Sequence, residues 1–206
     1  MSVTLTLSAL SLAAFLVCDG SAAGQGIAPP RGWTATGEAP EAAEMVRACD
    51  VAHGGRCSAR LSAGPGSGMI VMVQTVSVAR YAGSRVVLAG WVKTEAAAAA
   101  QLWLRVDAGR TVVALDNMSD RPIAATTPWT EYRLVLDVPD GATALAYGLL
   151  LHGGGRAWVD DLSLTIVEPG EAATTDVLPT RRVFRHDLET LSSATPRLPV
   201  NLDFER

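Results

Sequence analysis

The sequence predicts an all-β sandwich, and four observations carry that expectation. From Gly32 to Val167 the chain is a series of short apolar runs, with Gly, Pro and Asp at the joins. Turn signals recur every ~8–15 residues, the rhythm of a two-layer β fold. Apolar residues nowhere repeat at the 3.6-residue period over the length that an amphipathic helix needs. The stretch Ala157-Trp158-Val159-Asp160-Asp161-Leu162-Ser163-Leu164-Thr165-Ile166 alternates as a half-buried strand does.

The elements follow in order. Strands are expected at Trp33–Thr36, Ala43–Cys49 and Arg56–Ser62, the last two joined through the turn signal His53-Gly54-Gly55. Gly64-Pro65-Gly66-Ser67-Gly68 is a flexible turn leading into a strand at Met69–Val78. Strands at Arg85–Thr94 and Gln101–Asp107 flank the run Ala96–Ala100. Its alanines favour helix by propensity, but so short a run between two strands reads as a loop with at most one helical turn. Thr111–Leu115, Glu131–Val138, Ala144–Leu151 and Arg156–Val167 complete the set. By alternation, the neighbours Asp160 and Asp161 should point to opposite faces.

Composition bounds the function. The 206 residues are 49% hydrophobic, enough for a core, and carry a net charge of −4 with no basic block. Nucleic-acid binding calls for a basic stripe, and the sequence has none. Residues 1–23 read as a secretory signal peptide, with an apolar run from Leu5 to Val17 and small residues Ser21-Ala22-Ala23 before Gly24. The run is shorter than the roughly 20 residues of a membrane span, so no membrane association is expected after cleavage. The expected location is secreted or periplasmic. Cleavage would remove Cys18 and leave Cys49 and Cys57. In an exported protein such a pair implies a disulfide, worth about 2.6 kcal/mol for so short a loop; two buried thiols in neighbouring strands are the alternative.

Nothing in the sequence assembles into a catalytic constellation. It has no Gly-x-Ser-x-Gly elbow, no His-Glu-x-x-His and no phosphate loop. His152-Gly153-Gly154-Gly155 mimics an oxyanion loop but has no nucleophile to serve, so it reads as a strand connection. Two acids on opposite faces of one strand cannot flank a glycosidic bond. The chain is therefore read as a non-enzyme.

A resemblance sharpens this. In order along the chain stand Gly32-Trp33, Tyr81-Ala82-Gly83-Ser84-Arg85-Val86, Trp91-Val92-Lys93-Thr94, Leu102-Trp103-Leu104-Arg105-Val106-Asp107, Asp116-Asn117-Met118, Thr127-Pro128-Trp129, Tyr147-Gly148-Leu149-Leu150-Leu151 and Trp158-Val159-Asp160-Asp161. Together they resemble the galactose-binding-like jelly rolls, especially carbohydrate-binding modules of the cellulase C (CenC) type. Such modules are similar to accessory domains of secreted bacterial enzymes, including tail-specific peptidases. The resemblance implies a jelly-roll binding module over residues 30–168, a linker over 169–197 with a short helix at Arg182–Leu191, and a carbohydrate or glycan as partner. The alternative is a structural or protein-interaction accessory domain of a secreted peptidase or other hydrolase, its catalytic domain absent from this chain.

Such modules begin with an Asn-x-x-Phe-Glu strand just before the Gly-Trp. Here Gly24 to Pro30 stands in that place, and the matching piece, Asn201-Leu202-Asp203-Phe204-Glu205, lies at the far end. Residues 198–206 therefore read as an orphan strand, either the start of a second module or a segment that folds back. The resemblance also implies a structural calcium ion where the first-strand glutamate meets an aspartate near the last strand. That makes Asp160, Asp161 and Glu205 the candidate Ca2+ ligands.

For a sugar, flat rings stack on C–H faces while charged and amide groups read the hydroxyls. Trp91 and Lys93 share one face of their strand, and Trp103, Arg105 and Asp107 share one face of theirs. The expected ligand surface is Trp91, Lys93, Trp103 and Arg105, with Gln74 and Asn117 as secondary candidates. Trp33, Trp129, Trp158, Tyr132 and Tyr147 are assigned to packing. Asn117-Met118-Ser119 also matches a glycosylation sequon.

Overall fold

A computed structural model describes residues 29–38, 43–167, 170–174 and 195–206. The signal segment 1–23, most of the linker and the short helix expected at 182–191 lie outside them. The described residues form nine antiparallel strands: β1 (Thr34–Gly37), β2 (Ala43–Ala48), β3 (Ser58–Ala63), β4 (Ile70–Ser77), β5 (Ser84–Ala108), β6 (Thr111–Asp116), β7 (Ile123–Val138), β8 (Ala144–His152) and β9 (Gly155–Val167). Hydrogen bonding runs β1-β4-β8-β5-β9-β3-β2, with β6 and β7 also paired to β5. The architecture is the expected all-β jelly-roll sandwich.

The long β5 belongs to both layers. Its first part pairs with β7 and β9, as in Leu88↔Leu134 and Leu88↔Leu164. Its second part pairs with β8 and β6, as in Leu102↔Leu149 and Leu104↔Asp116. One layer is thus β1, β4, β8, the end of β5 and β6; the other is β2, β3, β9, the start of β5 and β7. The alanine run that reads as a loop is the corner between them. Ala96 takes a positive φ of 47° and the register with β7 shifts on either side of Ala97. Ala97 and Ala100 are buried in the core. Strand pairing on both sides outweighs the small helix preference of alanine, and two expected strands become one.

The core between the layers gathers the inward side chains of both, among them Met45, Leu61, Met72, Leu88, Leu102, Leu104, Leu134, Leu149 and Val159. β8 is buried almost throughout. Leu145, Tyr147, Leu149 and Leu151 face this core, while Ala146 and Leu150 join Val71 and Trp103 in a second cluster on the outer side of the sheet. β7 starts at Ile123, earlier than its apolar pattern suggests, because residues 124–131 are largely exposed and carry no inward stripe. Pro128 is tolerated there because β7 is an edge strand.

The C-terminal segment folds back onto the same sandwich. It does not do so as the expected strand: Asn201 and Phe204 hold φ of 50° and 53°, which breaks any extended run. Side chains and irregular backbone bonds anchor it. The Gln74 amide donates to the carbonyls of Gly32 and Val200, while its oxygen accepts from the Val200 N–H at 2.9 Å and the Tyr147 hydroxyl at 2.6 Å. Trp33 Nε1 donates to the Asn201 carbonyl, Leu162 N–H to the Leu202 carbonyl and Ser77 N–H to the Pro196 carbonyl. Phe204 is fully buried, its ring centroid 5.4 Å from that of Trp33, which meets Tyr147 edge-on. A tail that supplies a core ring is part of the module's stability. Phe204→Ala is expected to cost about 3–5 kcal/mol, read as a lower urea midpoint with the unfolding slope retained.

Candidate functional site

The site is built where the loop between β2 and β3 meets β9 and the tail. Cys49 and Cys57 close this loop with a disulfide, as the cysteine count implied. Its backbone N–H groups have no strand partner and need acceptors. Asp160 Oδ2 accepts from the N–H groups of His53 at 2.8 Å and Gly54 at 3.1 Å, and its Oδ1 accepts from the Asp161 N–H at 2.8 Å. Glu205 Oε1 accepts from the N–H groups of Arg56 at 2.5 Å and Cys57 at 3.0 Å. Glycine lets the carboxylates in: a Cβ on Gly54 would fall 2.5 Å from Asp161 Oδ2, and one on Gly55 would fall 2.4 Å from Glu205 Oε1. The Arg47 guanidinium donates to the carbonyls of Phe204 and Glu205, holding the tail in place.

Asp160 and Asp161 do not diverge as alternation requires. Asp161 sits at φ 47° in a bulge, and the β5–β9 register slips between Ala89 and Trp91. Val159, Leu162 and Leu164 therefore all reach the core, and both carboxylates serve one loop. Asp161 Oδ2 lies 2.7 Å from His53 Nδ1. A neutral imidazole donating from Nδ1 keeps Nε2 as an acceptor. The His53 ring stacks on Trp91, centroids 3.9 Å apart and planes 12° apart, and meets Trp129 nearly edge-on at 5.8 Å. Trp91 and Trp129 are both partly exposed and His53 is exposed. Lys93, one alternation along β5, lies with its ammonium 4.8 Å from the ring centre of the buried Trp158, and the Arg156 guanidinium lies at 5.9 Å.

The expected ligand surface is thereby divided. Trp91 and Lys93 lie on the outer face of the β2-β3-β9-β5-β7 layer. Trp103 and Arg105 lie on the outer face of the other layer, on the opposite side of the core, because β5 turns the corner between them. Trp103 and Arg105 are each only 6% exposed, and Arg105 is ion-paired with the buried Asp107 at 3.0 Å. Gln74 is committed to the tail. Asn117 accepts the Ser119 N–H in a local turn. Sequence reasoning missed His53 and Trp129: the first looked like turn punctuation and the second like packing, and only the bulge at Asp161 and the length of β7 bring both to Trp91.

The carboxylates expected to hold calcium can be tested on their donors. Both oxygens of Asp160 and one of Glu205 receive N–H groups, and the other Glu205 oxygen is 4.0 Å from the Arg47 guanidinium. Backbone N–H hydrogens thus already point at both carboxylates as placed. Among the described residues no group of three or more His, Cys, Asp or Glu side chains gathers to hold a metal.

No family model matches the chain. By sequence it is similar to the uncharacterized HTH-type transcriptional regulator YbfP of Bacillus subtilis (strain 168), 34% identical over 184 residues, covering 85% of this chain and 57% of that protein. The chain thus spans little more than half the length of this curated relative. By structure it is similar to the enzymatically active domain of bacteriophage CBA120 tailspike protein 4 (TM-score 0.55, 18% identity, 66% of this chain and 20% of that chain). It is also similar to the CBM22-1–GH10 modules of Clostridium thermocellum endo-1,4-beta-D-xylanase 10B, solved with xylohexaose (TM-score 0.50, 14% identity, 67% of this chain and 26% of that chain). The likeness is one of fold alone: a jelly-roll β-sandwich like those in these two structures.

Hydrogen bonds from the loop pull the Glu205 carboxyl below its ordinary value of 4.5. Burial pushes Asp160 above its ordinary 3.8, against the three N–H groups that pull it down. A depressed carboxyl stabilises the fold at neutral pH and loses that contribution as pH falls through its folded value. Asp160 works in the opposite sense, its ionised form costing more as pH rises past 3.8. Melting temperature followed by circular dichroism from pH 7 to 3 should therefore fall less steeply below pH 4.5 in Glu205→Gln than in the parent chain.

Proposed function

We propose that this chain is a non-catalytic module that binds carbohydrate on the outer face of its β2-β3-β9-β5-β7 layer, at the corner formed by His53, Trp91 and Trp129. The observation that carries the reading is that corner: aromatic rings left partly exposed on a sandwich of the carbohydrate-binding kind. Ring faces stack on the C–H faces of a sugar, while Lys93, Asp161 and the Nε2 of His53 supply charge and hydrogen bonds for its hydroxyls. That the sequence has no Gly-x-Ser-x-Gly elbow, His-Glu-x-x-His or phosphate loop supports a module without chemistry of its own.

The finer assignment to the cellulase C type is supported by the Trp158-Val159-Asp160-Asp161 piece and by Glu205, which meet at one loop although the linker separates them in sequence. Export to the periplasm or medium is supported by the apolar run Leu5–Val17 and by the Cys49–Cys57 disulfide. DNA binding, which the name of the Bacillus relative suggests for that protein, is not carried over. The net charge here is −4, and among the described residues only strands and one short 3-10 turn at Val78–Arg80 are present.

A glycan array probed with the module, followed by calorimetry on the hits, tests the reading. Xylo-oligosaccharides are the first ligands to include, given the ligand of the xylanase structure. Trp91→Ala and Trp129→Ala should each weaken binding about tenfold or more, and Trp103→Phe should leave it within about twofold. A folded module that binds nothing on the array is instead a structural or protein-interaction accessory domain of a secreted peptidase or other hydrolase.

A further inference from the structure

The junction of β9, the tail and the β2–β3 loop does more than close the sandwich. The resemblance places a cation between carboxylates there. In this chain those carboxylates point at four amide N–H groups of one loop, two on Asp160 and two on Glu205. The residues that present these amides, His53, Gly54, Arg56 and Cys57, lie between or at the cysteines of the disulfide. One of them, His53, also carries the ring that stacks on Trp91.

We propose that the disulfide-closed loop 49–57 is an amide clasp that takes the part of a metal ion, and that Glu205 acts through it as a positioning residue for the His53–Trp91 surface. Three physical points carry this. Amide hydrogens directed at a carboxylate stabilise its charge, the service a cation would give, and here each carboxylate has at least two. Such a clasp works only if the loop is held in the conformation that aims its amides together, and the cross-link between Cys49 and Cys57 restricts the loop to few conformations. Asp160 takes the amides of His53 and Gly54 while Glu205 takes those of Arg56 and Cys57, so the two carboxylates grip the loop on both sides of Gly55. With Glu205 withdrawn, Arg56 and Cys57 lose their acceptor. The His53 backbone is then held from the Asp160 side alone.

The carbohydrate reading gives this surface its use, but the clasp is tested without a ligand. Protein stripped with EDTA and returned to about 10 mM calcium chloride, above the dissociation constants of extracellular calcium modules, should melt within about 1 °C of the stripped sample. A rise of several degrees would assign the carboxylates to a metal and overturn the proposal. Glu205→Ala, which removes the acceptor that a glutamine would keep, should move the ring-proton NMR shifts of His53, now set by the ring current of Trp91, towards those of a free histidine, while the core methyl signals stay dispersed. Unchanged His53 shifts in that variant would remove Glu205 from any positioning role. Cys49→Ser/Cys57→Ser should produce the same change in His53, and adding Glu205→Ala to it should add little, because both act on one loop. Additive effects would mean that the disulfide and Glu205 act separately. If the glycan array is blank while the His53 shifts respond, the clasp stands and the carbohydrate reading falls.

Discussion

The structure depends on satisfying the backbone of the β2–β3 loop. A loop that leaves a sheet edge carries N–H groups with no ladder partner, and leaving them unpaired away from water costs as much as a lost hydrogen bond each. Here the acceptors are carboxylates from two distant parts of the chain, Asp160 on β9 and Glu205 in the tail. Everything local follows from that pairing. Gly54 and Gly55 are small because a Cβ on them would collide with the Asp161 and Glu205 carboxylates. Arg47 reaches over to hold the tail carbonyls. His53 is brought against Trp91, and Asp161, turned by its bulge, takes the imidazole.

The second constraint is β5. One strand that serves both layers has to bend through a corner, and alanine suits the corner because it fills little volume where the two sheets converge. The bend also separates what the strand's sequence places close together. Trp91 and Trp103 are twelve positions apart on one strand, yet the core lies between their faces. The outer side of the β1-β4-β8-β5-β6 layer is packed by Val71, Trp103, Ala146 and Leu150. The outer side of the other layer keeps Trp91 and Trp129 partly open. Position on a sheet, not residue type, decides which tryptophan is available to a ligand.

Most of the fold was legible in the sequence because strand alternation and turn residues are local signals. Ala144–His152 and Gly155–Val167 were found to within a residue on that basis. The disulfide was legible from an even cysteine pair. Three features were not. The join of two strands into β5 was hidden because five alanines carry no strand signal; only partners on both sides make them extended. The start of β7 was hidden because an exposed edge strand has no apolar stripe. The shared loop of Asp160 and Asp161 was hidden because a bulge adds a residue and resets the alternation, and nothing in Asp-Asp announces it. The candidate surface inherits these misses: alternation places Trp91 and Lys93 on one strand face, while the approach of His53 and Trp129 to Trp91 depends on the bulge and the edge strand.

The far-end placement of Asn201-Leu202-Asp203-Phe204-Glu205 follows from the same physics. A first strand contributes a buried ring, a carboxylate for the loop and a few backbone bonds, and none of these depends on where in the chain the segment is encoded. Asn201 Nδ2 donates to the carbonyls of both Arg31 and Arg206, each at 3.1 Å. The end of the described tail thus lies beside the residue that precedes Gly32-Trp33. In space Asn201-Leu202-Asp203-Phe204-Glu205 thus stands next to Gly32-Trp33. What the tail gives up is sheet hydrogen bonding, since its backbone turns at Asn201 and Phe204. Gln74 replaces part of it, with both the donor and the acceptor of its amide engaged by the Val200 backbone. A buried glutamine on a strand face otherwise made of Ile70, Met72 and Val76 is the local cost of accepting a segment that arrives from the far end of the chain.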